Sequence, residues 1–294
     1  MNSSFTNMSS NASGAGLGAG GVQEFLNGQG VVSQTLLVIV LALILYIVMM
    51  IMESVYLLWS QAEGSRIDVF PYRQNAQNGQ EIIAQNPAIS SALTLPPSYN
   101  ERTGAEFTYS FFLLLNANGF SNTATTELKH VFHKGYSKMT PLMSPGVFVH
   151  GAKNTLRVYA NSTKKIHNVV DIEDIPINKW VHVVILARKN ALEIYINGNI
   201  IKKMSVEGVL MQNYQDLILF SQRQGIRLGT DDDQKQVNGP FSGDLASLTY
   251  FSYAISYSEI QGLVAGGPST ATKKGGAADV VNPYLVDNWW TGSH

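Results

Sequence analysis

Three observations in the sequence predict an all-β sandwich preceded by one N-terminal transmembrane helix. Charge is almost missing from the start of the chain, one long segment there is apolar on every side, and the remainder breaks into short β-branched and aromatic runs separated by turn signals. The chain has 294 residues, with 20 Lys and Arg against 21 Asp and Glu, and 14% charged residues where a soluble domain carries about 25%. Glu24 is the only charge among the first 52 residues, so two compositions are joined end to end. The near-neutral balance offers no field to gather a polyanion, which argues against nucleic acid as a partner. With no cysteine, a disulfide framework, thiol catalysis and cysteine-ligated metal sites are excluded.

Residues 1–30 are Gly-, Ser-, Asn- and Ala-rich with too few apolar side chains to offset ordering entropy, and are expected to be a disordered tail. Residues 31–59 then read as the transmembrane helix: Leu36 to Met52 carries no charge and no strongly polar group, and about 20 residues at 1.5 Å rise cross a hydrocarbon core of ~30 Å. Tyr56 and Trp59 close the span at headgroup level. A cleavable signal peptide fits poorly, because no Lys or Arg precedes the apolar run and no small-residue cleavage site closes it. Arg66 and Arg73 follow the span while no cation precedes it, which favours a cytosolic C-terminal domain. Residues 60–80 are polar and read as a linker. Glycosylation acceptor patterns occur at Asn2, Asn7, Asn11 and Asn161.

Residues 81–264 carry the strand pattern. The clearest runs are 106–115, 128–133, 146–150, 155–160, 180–187, 192–198, 216–220 and 244–254. Leu192, Ile194 and Ile196 alternate with polar or amphipathic residues, which commits one face to a core. Asn197-Gly198 predicts a type I′ hairpin turn, whose central residues both need positive φ. Ser256-Tyr257-Ser258-Glu259 is a capping-box pattern that opens one short helix. Residues 265–294 form a Gly-, Ala- and Thr-rich arm with an aromatic end.

The succession HKG (133–135), NTLRVYAN (154–161), INKWVHVVIL (177–186), ALEIYINGNI (191–200), IRLGT (226–230) and FSGDLASLTYFSYAISYSEI (241–260) resembles the concanavalin A-like lectin and laminin G-like, pentraxin-type superfamily. The resemblance covers about residues 82–262 and implies a jelly-roll sandwich. It leaves function open, since such sandwiches serve as lectins, glycosidases, adhesion modules and structural parts. The uncleaved anchor and cysteine-free domain are similar in style to virion proteins of large double-stranded DNA viruses. The leading expectation is therefore a single-pass, non-enzymatic minor capsid protein, linking an inner virion membrane to capsid proteins with the sandwich on the capsid-facing, cytosolic side. The alternatives are a cell-surface glycan-binding receptor and a divergent glycosidase.

Candidate site residues are weighed against these readings. Glycosidases of the superfamily place acid and nucleophile carboxylates on one strand face, but Asp171-Ile172-Glu173-Asp174 has the wrong order for that pair and reads as a polar loop lip, so no catalytic residue is expected. Relatives hold calcium in rim loops, which makes Asp231, Asp232, Asp233 and Asp244 weak calcium candidates; adjacent acids cannot all face one ion, and no cofactor is expected. His130 and His133, an odd number apart, should point to opposite faces of a strand and bind no common metal. Lys129, Lys134, Lys138, Lys153, Lys164 and Lys165 read as a modestly basic, solvated surface. Tyr284, Trp289 and Trp290 are the partner-binding candidates, either folded back on the sandwich or anchored in a neighbouring protein.

Overall fold

In the computed structural model, residues 31–98, 105–229 and 233–272 are described, and of these the side chains of 31–33 and 56–65 are left aside. The expected disordered tail (1–30) and the aromatic end of the arm, with Tyr284, Trp289 and Trp290, lie outside the described residues, as do Asp231 and Asp232. The chain divides into two compact units, residues 1–62 and 63–294.

The first unit is dominated by helix α1 (Val31–Ser65). Within it Gln34–Val55, 22 residues, is long and apolar enough to cross a membrane. Leu36, Ile39, Leu43, Tyr46, Met50 and Val55 are all exposed, so the apolar surface is continuous rather than confined to a stripe. The backbone helix runs on past Tyr56 and Trp59, whose side chains are not among those described.

The second unit is a two-layer sandwich. In chain order its strands are β1 (Arg66–Asn75), β2 (Glu81–Ile83), β3 (Phe107–Leu115), β4 (Glu127–Gly135), β5 (Met143–His150), β6 (Leu156–Ala160) and β7 (Asn168–Ile172). They continue as β8 (Trp180–Arg188), β9 (Ala191–Ile196), β10 (Asn199–Ser205), β11 (Leu217–Leu219), β12 (Gln224–Leu228), β13 (Lys235–Pro240) and β14 (Gly243–Phe251), and helix α2 (Tyr257–Gly266) follows. One sheet has six strands in the order β1-β14-β3-β8-β9-β10. The other has eight, with the path β12-β13-β4-β5-β6-β7; β11 pairs the C-terminal half of β4 beyond the reach of β13, and β2 pairs β11. All ladders are antiparallel except β13 with β4.

The sequence periodicity explains the layering. Phe107, Tyr109, Phe111 and Leu113 of β3 and Val181, Val183 and Ile185 of β8 point into the core between the sheets, where they meet Val131, Phe132, Val147 and Val158 from the other sheet. Each such side chain contributes roughly 1.5–3 kcal/mol through burial. The intervening residues are buried too. Val184 and Leu186 of β8 pack with Phe251, Ile255 and Ile260 under α2, which is why β8 reads as an apolar run from Val183 to Ala187. A third cluster on the outer side of the eight-stranded sheet joins Leu128, Met139, Met143, Phe148, Leu228 and Val237.

The local predictions at the turns hold. Asn197 and Gly198 have φ of 49° and 83°, as a type I′ turn demands, and the Asn197 Oδ1 accepts the His182 N–H at 2.9 Å. Ser256 and Glu259 form a complete capping box at the start of α2.

The expected linker is different. Residues 66–75 are strand β1, paired with β14 along its whole length, and 81–83 are strand β2. Their polar composition fits an edge strand, where one side and one face meet solvent. Asp171 and Ile172, expected in a loop lip, end strand β7, because the Asp171 carboxylate is taken up by Arg157 across the β6–β7 pair.

Candidate functional site

Three concavities among the described residues bear on function. The most enclosed holds about 80 Å³ between Phe107, Tyr109, Lys134, Ser144, Asn213 and Tyr250. The Lys134 ammonium, expected on the surface, is buried here and donates to the Gln215 carbonyl at 2.6 Å and to Gln85 Oε1 at 3.3 Å. Burial lowers its pKa to about 8 against the pull of Asp216. Ser144 Oγ is buried with no partner among the described residues. A space of this size suits a few waters and is far below the ~300 Å³ at which ligand pockets begin.

The second concavity is an open cleft of about 330 Å³. Its walls come from the turn after β1 (Gln77), the turn before β4 (Gly119), strand β4 (Lys129), strand β12 and its lead-in (Gln222, Gln224), and the β13–β14 corner (Asn238, Ser242). A Cβ on Gly119 would sit 2.7 Å from Ser242 Cβ, so only glycine lets these two turns meet. The amides are aimed by the backbone. Gln77 Nε2 donates to the Phe241 carbonyl at 2.8 Å, leaving its Oε1 free to accept; Asn238 Oδ1 accepts from Gly225 N–H at 3.0 Å, while its NH2 is turned to the Glu127 carboxylate. Lys129 bridges Glu127 and the Asn238 carbonyl, both at 3.0 Å. Gln224 has no side-chain partner among the described residues, and no carboxylate lines the cleft.

The third concavity, about 450 Å³, continues the second on the other side of Gln224 and is lined by Lys138, Thr140, Arg223, Ile226 and Arg227. Its two walls are joined by a buried relay. Ser221 N–H donates to His130 Nδ1 at 2.9 Å, so His130 carries its proton on Nε2 and donates to His133 Nδ1 at 2.7 Å; His133 Nε2–H in turn donates to the Tyr136 carbonyl at 3.0 Å. Both imidazoles are wholly buried and held neutral. Burial, with the neighbouring His133, pushes His130 well below its usual range; burial, together with Arg223, brings His133 to about 4 against the Tyr136 carbonyl.

The expectation that His130 and His133 face opposite ways is thus corrected. The pairing steps from His130 opposite Phe148 to Phe132 opposite Val147, so Val131 is an inserted bulge residue and the alternation slips by one. The two rings act on each other rather than on a metal.

The remaining predicted positions are accounted for individually. Asp233 lies between Arg157 (2.8 Å) and Lys235 (3.4 Å), and Asp244 accepts from Arg73 at 2.6 Å and Asn75 at 2.6 Å. Their oxygens face cations and an amide rather than a common centre, a poor fit to calcium. No group of three His, Asp or Glu suited to a metal occurs among the described residues. Asn161 is 3% exposed, and its amide spans the Met143 N–H and the Pro141 and Ile166 carbonyls, so this acceptor pattern is shut inside the folded domain.

Sequence reasoning passed over Arg223 and Arg227. Their signal was there: the stretch 217–230 carries two arginines, with Ser221, Gln222 and Gln224 beside the first, yet no acid.

The sequence model of the concanavalin A-like lectin/glucanases superfamily matches residues 87–261. The chain belongs to this superfamily. Its sandwich is a lectin-like, carbohydrate-binding type of fold. No curated protein matches the chain. Among solved structures it is similar to the binding domain of botulinum neurotoxin DC in complex with rat synaptotagmin II, at 16% identity over 64% of this chain and 40% of that one, with a TM-score of 0.42. The binding domain of Paraclostridial Mosquitocidal Protein 1 is similar at 17% identity over 66% and 42%, with a TM-score of 0.45. A botulinum neurotoxin type C structure, described with cell entry dependent on two ganglioside molecules, gives 16% over 64% and 40%, with a TM-score of 0.43. The chain therefore spans about two fifths of the length of these structures.

Proposed function

We propose that this chain is a membrane-anchored recognition protein whose sandwich binds a glycan and does not hydrolyse it. The observation that carries the reading is the open amide cleft of about 330 Å³. Gln77, Gln222, Gln224, Asn238 and Ser242 offer mixed donors and acceptors, the complement of sugar hydroxyls, in a space within the range of ligand pockets. Non-hydrolysis is supported by the fate of the strand carboxylates: Asp171 pairs with Arg157, Glu193 with Lys203 and Asp244 with Arg73. A carboxylate occupied by a cation is not free to reach a glycosidic oxygen.

The anchor reading is supported by the all-round apolar Gln34–Val55 segment. The expected capsid link places its contacts on Tyr284, Trp289 and Trp290, outside the described residues, and the cleft lends it no support. A glycan receptor requires the sandwich on the non-cytosolic side, against the bias from Arg66 and Arg73. Both arginines are built into β1, Arg66 beside Asp68 and Arg73 against Asp244.

The test uses the full chain in lipid nanodiscs on an oligosaccharide array, with release of reducing ends followed in parallel. Binding without release, weakened by Gln224→Ala with Asn238→Ala, is the expected result. Reducing-end release, or an array profile that the double substitution leaves unchanged, overturns the reading. Protease protection on sealed membranes reports the side of the sandwich; glycosylation at Asn161 does not, because the folded domain hides it.

A further inference from the structure

The concavity that continues the amide cleft has a different chemistry. Lys138 projects from the loop after β4, Arg223 from the segment leading into β12, and Arg227 from β12 itself. Six cations of the domain, Arg66, Arg73, Lys129, Arg157, Lys203 and Lys235, each sit within 4 Å of a carboxylate. Lys138, Arg223 and Arg227 have no such partner among the described residues, and no Asp or Glu lines their cleft. Three like charges gathered in one concavity raise its potential, and two planar guanidinium groups suit the paired oxygens of a carboxylate or sulfate.

The walls that carry these cations are braced from behind. Met139, wholly buried in the outer cluster with Leu228, pins the loop bearing Lys138 and Thr140 against β12. The relay through His130 and His133 ties the Tyr136 carbonyl, at the root of that loop, to the Ser221 N–H, at the root of the Arg223 segment. Arg223 N–H in turn donates to Ser221 Oγ at 3.4 Å. The cleft is thus fixed before any ligand arrives, which limits the ordering cost of binding.

Strand β12 is also the free edge of the eight-stranded sheet, but an added peptide strand suits it poorly. The ladder to β13 shifts between Gln224 and Ile226, where Gly225 has a φ of 75°, and such a bulge twists an edge away from regular pairing. A compact anionic group fits better.

Resting on the glycan reading above, we infer that the ligand is an acidic oligosaccharide: its carboxylate or sulfate is gripped by Arg223, Arg227 and Lys138, and a neighbouring neutral sugar unit lies in the amide cleft. Gln224 belongs to both concavities and marks where one sugar unit gives way to the next.

The experiment immobilises the full chain in zwitterionic nanodiscs and titrates sialyllactose, a heparin-derived hexasaccharide, lactose and inorganic phosphate. A sialylated or sulfated probe binds at least about tenfold tighter than lactose, with affinity falling as salt rises. Changing Arg223 and Arg227 together to Ala removes that preference while the melting temperature stays unchanged. The sialyl and heparin arms separate the carboxylate from the sulfate source. Lactose binding as tightly as either acidic probe, or the double variant retaining the preference, overturns the inference and leaves the glycan reading standing. Phosphate displacing the acidic probe at equal concentration also overturns it, reducing the site to a bare anion cleft. Binding of no saccharide overturns both.

Discussion

The eight-stranded sheet carries arginines in two settings, and the contrast shows how this domain separates stability from recognition. On β6, an interior strand, the Arg157 side chain is 6% exposed and is clasped by Asp171 and Asp233. On the free edge, Arg227 and the nearby Arg223 are exposed and have no acidic partner among the described residues. Taking a guanidinium out of water requires a counter-charge and hydrogen bonds in return, so an interior arginine becomes a structural part. An edge arginine keeps its hydration until a ligand replaces it. The same division holds for the relay, whose histidines are fully hydrogen-bonded to the interior while the cations they brace face outward.

The largest expected effect tests the interior side of this comparison through pH. An unfolded histidine titrates near 6.5 and the folded His133 near 4, so between these values the unfolded chain binds more protons and stability rises with pH. The full contribution is present above about pH 6.5 and is lost as pH falls toward 4, at a cost of about 3 kcal/mol for this side chain. Urea unfolding of the detergent-solubilised chain at pH 7.5 and 4.5 measures it, and His133→Gln should make the profile shallower, the remaining slope coming from His182, also held near 4 by burial. A profile that is flat already in the unaltered chain would sink the neutral relay.

Arg157→Met comes next, with an expected loss of about 2 kcal/mol, less than for a fully buried pair because Asp171 and Asp233 are 35% and 47% exposed and regain water. The edge arginines sharpen the contrast: Arg223→Ala and Arg227→Ala should each change stability by less than about 0.5 kcal/mol in the same assay. Equal losses at interior and edge would erase the distinction. The smallest effect concerns calcium. With Asp233 and Asp244 facing arginines, millimolar calcium should add less than about 0.4 kcal/mol, the value of RT ln 2 expected when the concentration equals Kd. A clear upward shift in melting temperature would show that the ion displaces Arg157 or Arg73.

Much of the fold was legible because its signals are local. The alternation at Leu192, Ile194 and Ile196, the Asn197-Gly198 turn and the Ser256 box each rest on a few neighbouring residues and recur in the structure as read. What could not be read depends on pairings distant in sequence. Residues 66–75 look like a linker until β14 supplies a partner from the far end of the domain, and Arg157 looks like any strand arginine until Asp233 arrives from another loop. The candidate site was least legible. One inserted residue at Val131 turned two separate histidines into a relay, and a bulge is invisible to a rule of strict alternation. The edge arginines stand out only once their shared concavity, and the carboxylates that pair Arg66, Arg73 and Arg157, have been located.

Strand β1 interlocks the two ends of the domain. It lies against β14 from Arg66 opposite Phe251 to Asn75 opposite Asp244, and its Arg73 N–H also donates to the Ala271 carbonyl at 2.7 Å, beside a bridge to Thr272. The transferable cassette therefore runs from Arg66 to Thr272, beyond both limits of the superfamily match at 87 and 261. A protease that releases this domain intact must cut before Arg66. A cut placed later, in what reads as a polar tether, would strip a ladder from the sheet and set free a damaged module.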